Sequence, residues 1–221
     1  MHLMSAPNPE TLPPEIQLAL AHTRPHLRGP LRIFFELDAR LGRIVAATSE
    51  AMLGQMRLAW WRDELGKPAG ERPQGDAVLD GIGEHWAGRE ALLVPLVDAW
   101  EHLLTEPPLA DADAQGFAQG RSSVLLAVYG EAYADGSGYT SAAMRWSLAD
   151  LAANVSLEDE RELLVRLGLV SSLSSSRLPR HARGLAVLGA LGHRALKRGG
   201  RPLMEGRAAA LTALRAAMLG R

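Results

Sequence analysis

The sequence predicts an all-α protein, and three observations support this prediction. Apolar residues recur at three- and four-residue spacing through most segments. The apolar/polar alternation of half-buried strands is missing, and isoleucine is scarce. The length of 221 residues suits one domain with its own core. We therefore expect a single-domain bundle of roughly eight or nine helices across residues 1–221, after a flexible lead-in at 1–13.

Prolines and glycines set the expected bounds of the first three helices. The first helix is expected between Pro14 and Pro25, because proline fits the start of a helix and interrupts its interior. The second begins at Pro30 and ends just before residues 48–49, a threonine and a serine that can cap the third. The third helix ends at Gly66, which a proline follows closely.

The rest of the chain alternates helical patterns with breaker-rich connections. Residues 67–75 are rich in glycine, proline and charge and are expected to form a loop. Ser156 precedes a run of acidic residues, which is typical of a helix start. The serine-rich segment 171–176 is expected to be a flexible connection. Further helices are expected over residues 76–86, 89–105, 112–134, 139–155, 157–170, 179–197 and 203–219.

Composition excludes several classes of function. Lys and Arg total 24 against 25 acidic residues, so the net charge of -1 gives no field that would recruit nucleic acid. Cysteine is absent, which excludes disulfides, thiolate metal sites and cysteine nucleophiles. The N-terminus lacks a secretory signal pattern, and no apolar run approaches the roughly 20 residues of a transmembrane helix. We expect a cytoplasmic protein without a transmembrane segment, and peripheral membrane contact stays open.

The segment 52–65 is the most informative in the chain because it places two adjacent tryptophans and an arginine on one helix. Helical spacing puts Arg57, Trp60 and Glu64 on a common face, so we expect Arg57 on the apolar side. A buried guanidinium needs a partner, which is a carboxylate such as Glu64, backbone carbonyls or an anionic ligand. Trp60 is expected in the core, and Trp61 is expected to line a cavity or a partner surface.

Several motifs resemble those of squalene/phytoene synthase-like proteins. The pattern Gly-x-x-Arg-Leu-x-Trp-Trp-Arg-Asp-x-Leu at 54–65, after the helix at 34–41, is similar to the N-terminal part of that family. It is most similar to the shorter branch that includes complex I assembly-factor-like members. Residues 119–126, 145–151 and 178–183 resemble the central, following and C-terminal helices of the family. The resemblance implies a helical bundle of the isoprenoid synthase type.

The resemblance also implies where a catalytic centre would lie. Enzymes of the family hold magnesium ions, and through them a prenyl diphosphate, with two motifs that each carry aspartates four residues apart. The first expected place contains Asp38 but has Gly42 where the second aspartate belongs. The second place contains Asp150 followed by Asn154. Neither motif is intact, so Asp38 and Asp150 are residual catalytic candidates, and we expect no metal site or cofactor. Mg2+ would be the cofactor if the protein were active.

Two interpretations of these residues stay open. Asp38 and Arg121 both lie on apolar helical faces, and the glycine before Arg121 permits close helix approach. If the helices pack as the resemblance implies, Asp38, Arg57, Arg121 and Asp150 could meet in one central cavity. This cluster is either a buried ion-pair network or a pocket for an anionic or prenyl ligand, lined by Arg57, Trp61 and Arg121.

Three hypotheses for the function follow. The favoured one is a degenerate squalene/phytoene synthase-like protein that binds an apolar ligand or a protein partner, and the resemblance implies a role in assembling a respiratory complex. The alternative is an active prenyl transferase that condenses two prenyl diphosphates head to head. In that alternative Asp38 and Asp150 hold magnesium, and Arg57 and Arg121 grip the diphosphate. The third hypothesis is a plain helical interaction module with a filled core.

Overall fold

The computed structural model describes residues 12–129, 137–170 and 177–220, and these ranges contain ten α-helices and no strand. The helices are α1 (Pro14–Ala21), α2 (Pro25–Ala46), α3 (Ala51–Gly66), α4 (Ala77–His85), α5 (Val94–Glu101), α6 (Asp111–Ala127), α7 (Ser137–Asn154), α8 (Glu158–Val170), α9 (Arg183–Lys197) and α10 (Ala208–Leu219). Short 3-10 turns lie at Ala69–Glu71, Glu90–Leu93 and Arg180–Ala182. The all-α prediction is confirmed, and the described ranges contain as many helices as the ten individual ranges expected, one or two more than the overall expectation of eight or nine.

The start of α2 differs from the prediction. The helix begins at Pro25 and contains Pro30 in its interior, so the expectation that Pro30 opens it is wrong. Pro25 occupies the first helical position, where its missing N–H costs nothing. Pro30 then removes one helical hydrogen bond, but the carbonyl of Pro30 gains a bond from the indole N–H of Trp86 at 3.0 Å.

Two other helices start differently from the prediction. The residue before α3 is Glu50, which provides no side-chain cap, and the predicted cap Thr48 instead donates its hydroxyl proton to the carbonyl of Ile44 at 2.6 Å. The expected helix at 203–219 begins only at α10, because Gly206 has φ of 80° and a right-handed helix cannot pass through that conformation.

The middle of the chain is more broken than expected. The predicted helix 89–105 divides into the 3-10 turn before α5 and α5 itself. The predicted helix 112–134 ends with α6 at Ala127, and the predictions for 130–134, for 171–176 and for most of the lead-in lie outside the described residues. Within the described ranges, none of the helices combines the length and apolar character that a bilayer crossing requires.

Helices α7 and α9 form the most extensive pair in the bundle, and α9 also supports α1 and α10. Their backbones approach closely at Gly192, where an added Cβ would lie 2.7 Å from the carbonyl oxygen of Arg145 and 2.9 Å from Cα of Trp146. Trp146 is thereby held in the core, where its ring meets Phe35 edge to face at a centroid distance of 5.5 Å. The close α7–α9 contact positions the part of α7 that carries Asp150.

Candidate functional site

Asp38 lies on the buried face of α2. The spacing of Phe34, Leu41 and Val45 directs this face into the core, and Asp38 shares it with them. A buried carboxylate is costly unless it is hydrogen-bonded. The indole N–H of Trp100, on α5, donates to one carboxylate oxygen of Asp38 at 2.8 Å.

Arg121 reaches Asp38 from α6. Its Nε lies 3.0 Å from each carboxylate oxygen of Asp38, and Nη2 bonds the second oxygen as well. The predicted close approach at Gly120 is confirmed, because a Cβ at that position would lie 2.6 Å from the carbonyl oxygen of Pro95. Arg121 is almost completely buried, so its charge depends on carboxylate partners for compensation.

Asp150 completes the cluster from α7. One carboxylate oxygen of Asp150 lies 2.7 Å from Nη2 of Arg121, so a single guanidinium joins two carboxylates. The side chain of Asp150 is 26% exposed, whereas Asp38 and Arg121 are buried. The cluster is therefore closed towards α2 and reaches solvent at Asp150.

Aromatic rings surround the guanidinium of Arg121. Its central carbon lies 4.0 Å from the ring centroid of Trp146, 5.4 Å from that of Phe117 and 5.9 Å from that of Trp100. These rings attract the cation through their quadrupoles and exclude water from the ion pairs. Nη1 of Arg121 and the indole nitrogen of Trp146 are buried without an acceptor in the described part of the chain.

The electrostatics of the cluster follow from burial and from charge pairing. Burial raises the pKa of Asp38 above its ordinary value, while Arg121 and Trp100 act in the opposite direction and the charge of Asp150 adds to the rise. Burial alone would lower the pKa of Arg121, but the charges of Asp38 and Asp150 outweigh it and raise that pKa. The guanidinium therefore stays protonated and serves as the fixed positive charge of the cluster.

Glu15 is a further member of this region that the sequence did not reveal. Burial raises the pKa of Glu15 to about 7, against a backbone hydrogen bond that lowers it, and the negative charge of Asp150 adds to the rise. Glu15 is the second residue of α1, where an acidic side chain is common at the positive helix end. No sequence signal therefore distinguishes it from an ordinary helix-start glutamate.

Arg57 and Trp61 do not join the cluster. Arg57 is exposed on α3, so the prediction that it lies on the buried face is wrong. Glu64, its predicted partner, is buried and accepts a bond from Nζ of Lys67 at 2.7 Å. Apolar residues occur on every side of α3, and the spacing of residues therefore could not decide which side is buried.

The two adjacent tryptophans are also reversed relative to the prediction. Trp60 is 42% exposed, whereas Trp61 is 2% exposed. Their rings meet edge to face at 5.3 Å, and the guanidinium of Arg40 lies 5.9 Å from the ring centroid of Trp61. Trp61 is thus a core residue beside Arg40, and Trp60 is the tryptophan that a partner could reach.

The hydrogen bonds within the cluster limit its ability to bind a metal ion. Both oxygens of Asp38 accept bonds from Arg121, so a metal ion could use them only by displacing the guanidinium. Among the described residues, no group of three or more His, Asp or Glu side chains is arranged to hold a metal ion. Comparisons of the chain with protein-family models, curated proteins and solved structures find no match.

Proposed function

We propose that the chain is a squalene/phytoene synthase-like protein of the isoprenoid synthase type that has lost the diphosphate chemistry and acts by binding a protein partner. The observation that carries this proposal is the pairing of Arg121 with both Asp38 and Asp150. A guanidinium that two carboxylates neutralise has little charge to offer to a diphosphate. The cluster then works as an internal brace that ties α2, α6 and α7 together.

The same pairing argues against the prenyl transferase alternative. Magnesium in such sites needs several oxygen ligands at once, and bound diphosphate supplies only part of them. Asp38 is committed to Arg121 and Trp100, which leaves Asp150 and the partly buried Glu15. Glu15 is only partly ionised near neutral pH because its pKa is about 7, and the protonated carboxyl is a poor ligand for magnesium.

The outer face of α3 supports the binding role. Met52, Met56 and Trp60 follow one another at four-residue steps on this face, and all three are exposed, with Leu53 beside them. Methionine adapts to irregular partner surfaces, and tryptophan is enriched among the residues that dominate binding energy. Arg57 lies on the same exposed side, so the surface combines an aromatic anchor, flexible apolar groups and one charge.

The resemblance to complex I assembly-factor-like proteins extends the proposal to the kind of partner. An assembly factor holds a subunit of a respiratory complex before the complex is complete. Such a role needs an exposed binding surface, which we assign to the outer face of α3. It needs no catalytic centre, in agreement with the role of the Arg121 cluster as an internal brace.

Titration with farnesyl diphosphate and magnesium, followed by calorimetry and by product analysis, tests the loss of chemistry. We expect neither saturable magnesium-dependent binding nor formation of a hydrocarbon product. A parallel titration with farnesol, which lacks the diphosphate, tests the alternative of an apolar ligand. Condensation of the prenyl groups would contradict the proposal, and tight farnesol binding would replace the protein partner by a lipid ligand.

Site-specific photo-crosslinking in cells that produce the protein tests the role of α3. A photoreactive residue at Met56 is expected to give a discrete adduct with one protein, and Trp60→Ser should abolish it. Val170 on α8 is an equally exposed apolar residue and serves as the control position, where no such adduct is expected. The same adduct from both positions, or no adduct from Met56, would exclude α3 as the binding surface.

A further inference from the structure

Helix α10 buries its small side chains and exposes its large apolar ones. It packs on α9 through the small residues Ala209, Ala213 and Ala216, which are buried. Leu211, Leu214 and Met218 point to the opposite side and are 59%, 54% and 67% exposed. A helix on the surface of a globular protein normally hides its large apolar residues and exposes small or polar ones. The exposed stripe on α10 therefore indicates a surface that something else covers.

Positive charge accompanies this stripe along its length. Arg207, the residue just before α10, and Arg215, within it, lie eight residues apart, and both are exposed. Helix α10 has no acidic residue. Ten of the 24 Lys and Arg residues, but only one of the 25 acidic residues, Glu205, lie at 177–221. The rest of the chain has more acidic than basic residues, so the positive charge of the protein is concentrated at 177–221.

Further arginines lie at both ends of α10. At its start, Nη1 of Arg198 lies 3.1 Å from the carboxylate of Glu205, and Arg201 lies 3.9 Å from the same carboxylate, so one negative charge is shared by two arginines. At its end, Nε of Arg177 donates to the carbonyl of Leu219 at 2.6 Å. Burial, together with the charges of Arg177 and Arg180, lowers the pKa of Arg183, so three arginines lie close together near this end of α10.

The combination of an apolar stripe with nearby arginines fits some classes of partner for α10 better than others. A symmetric contact with a second copy would place the arginines of both copies in one interface that has no acidic residue of α10 to pair with them, because an isologous interface uses the same surface twice. An acidic protein would need negative groups beyond both ends of a helix about 18 Å long, with an apolar groove between them. An anionic bilayer offers phosphates in every direction in its plane and apolar acyl chains just below them.

We propose that α10 docks the protein on the surface of an anionic lipid bilayer. Leu211, Leu214 and Met218 enter the boundary between headgroups and acyl chains, and the helix lies parallel to the membrane plane. Arg207 binds lipid phosphate at the start of the apolar stripe and Arg215 binds it at one side, since their methylene stems can lie along the apolar layer while the guanidinium stays at headgroup level. The proposal is independent of the role of α3.

Co-sedimentation of the full chain with lipid vesicles tests the proposal. We expect binding to vesicles of phosphatidylcholine with about 30% phosphatidylglycerol, no binding to pure phosphatidylcholine, and weakening of binding as salt rises. Leu211→Ser with Met218→Ser should reduce the partition at least about tenfold, because the apolar contact is lost. Arg207→Gln with Arg215→Gln should remove the preference for anionic vesicles.

A matched control is available on α3. Met52→Ser with Met56→Ser removes an equally exposed apolar stripe and should leave vesicle binding unchanged. All of these sites are on the surface, so unchanged circular dichroism and melting confirm that each variant is folded.

Four results would overturn the proposal. They are failure of the parent to bind anionic vesicles, unchanged binding of the α10 variant, an equal loss in the α3 control, and a dimer in solution that the α10 variant converts to a monomer. The last result would assign the face to self-association. If the first result is accompanied by capture of an acidic protein through α10, the face is assigned to a protein partner.

Discussion

The guanidinium of Arg121 lies over the indole ring of Trp146, 4.0 Å from its centroid, while the same guanidinium binds two carboxylates. A planar cation can stack on a ring and donate from its edge at the same time, which an ammonium group cannot do. The position therefore requires arginine for its shape as well as for its charge. This requirement gives the cluster a structural role that can be measured.

Replacement of Arg121 by alanine should lower the free energy of unfolding by about 3–5 kcal/mol, because Asp38 is left buried without its partner. Arg121→Lys should recover only part of this loss, since lysine lacks the planar fork that pairs with Asp38 while it lies over Trp146. Urea denaturation measures both effects. Arg166→Ala is the control, because Arg166 pairs with Asp111 on the exposed surface and its loss should cost under about 1 kcal/mol. Equal costs at the two arginines would contradict the role of the cluster.

The reversal of the two tryptophans gives a second prediction. Trp61→Ala should destabilise the protein by about 3–5 kcal/mol, because it leaves a cavity beside Arg40 in the core. Trp60→Ala should cost less than about 1 kcal/mol, since much of the ring is already in solvent. Thermal melting of the two variants compares them directly, and a larger loss for Trp60 would mean that α3 is rotated relative to the arrangement described above.

Glu15 should make stability depend on pH. Its pKa is about 7 in the folded protein against 4.5 as the ordinary value, so the folded state holds its proton more strongly than the unfolded state. Ionisation of Glu15 therefore lowers the free energy of unfolding as pH rises from about 4.5, and this loss is complete above about 7. Glu15→Gln should be more stable than the parent by about 2–3 kcal/mol at pH 8, with little difference at pH 4.

Urea denaturation at several pH values measures the difference between Glu15→Gln and the parent. The measurement uses the difference because other groups that titrate in this range affect both proteins equally. A difference that stays constant between pH 4 and pH 8 would show that Glu15 titrates normally in the folded state.

The close contact of α7 and α9 can be tested at Gly192. An added methyl group at this position would meet the backbone of α7, so Gly192→Ala should force the helices apart and cost about 1–3 kcal/mol. Gly70→Ala is the control, because a Cβ at Gly70 has no neighbour within 4 Å and the residue has no positive φ. A similar melting temperature for both variants would contradict the tight packing described at Gly192.

The sequence predicted the helical class, and the family resemblance implied a cluster of Asp38, Arg57, Arg121 and Asp150, of which all but Arg57 meet. Neither could predict the orientation of α3. Spacing identifies a buried face only when the opposite face is polar, and α3 has apolar residues on both. Pro25 and Pro30 are both compatible with a helix start, so sequence alone could not choose between them. The environment of Glu15 depends on how α1 lies against the rest of the bundle, which no local pattern specifies.

The polar cluster also joins parts of the chain that are far apart in sequence. Trp100 lies 62 residues from Asp38, and Arg121 lies 83 residues from it, while Asp150 comes from a further helix. Closing loops of this length costs entropy before the ion pairs can form. We therefore expect the cluster to assemble late in folding, after the helices have met. Substitutions at Asp38 or Arg121 should then accelerate unfolding while leaving the rate of refolding nearly unchanged.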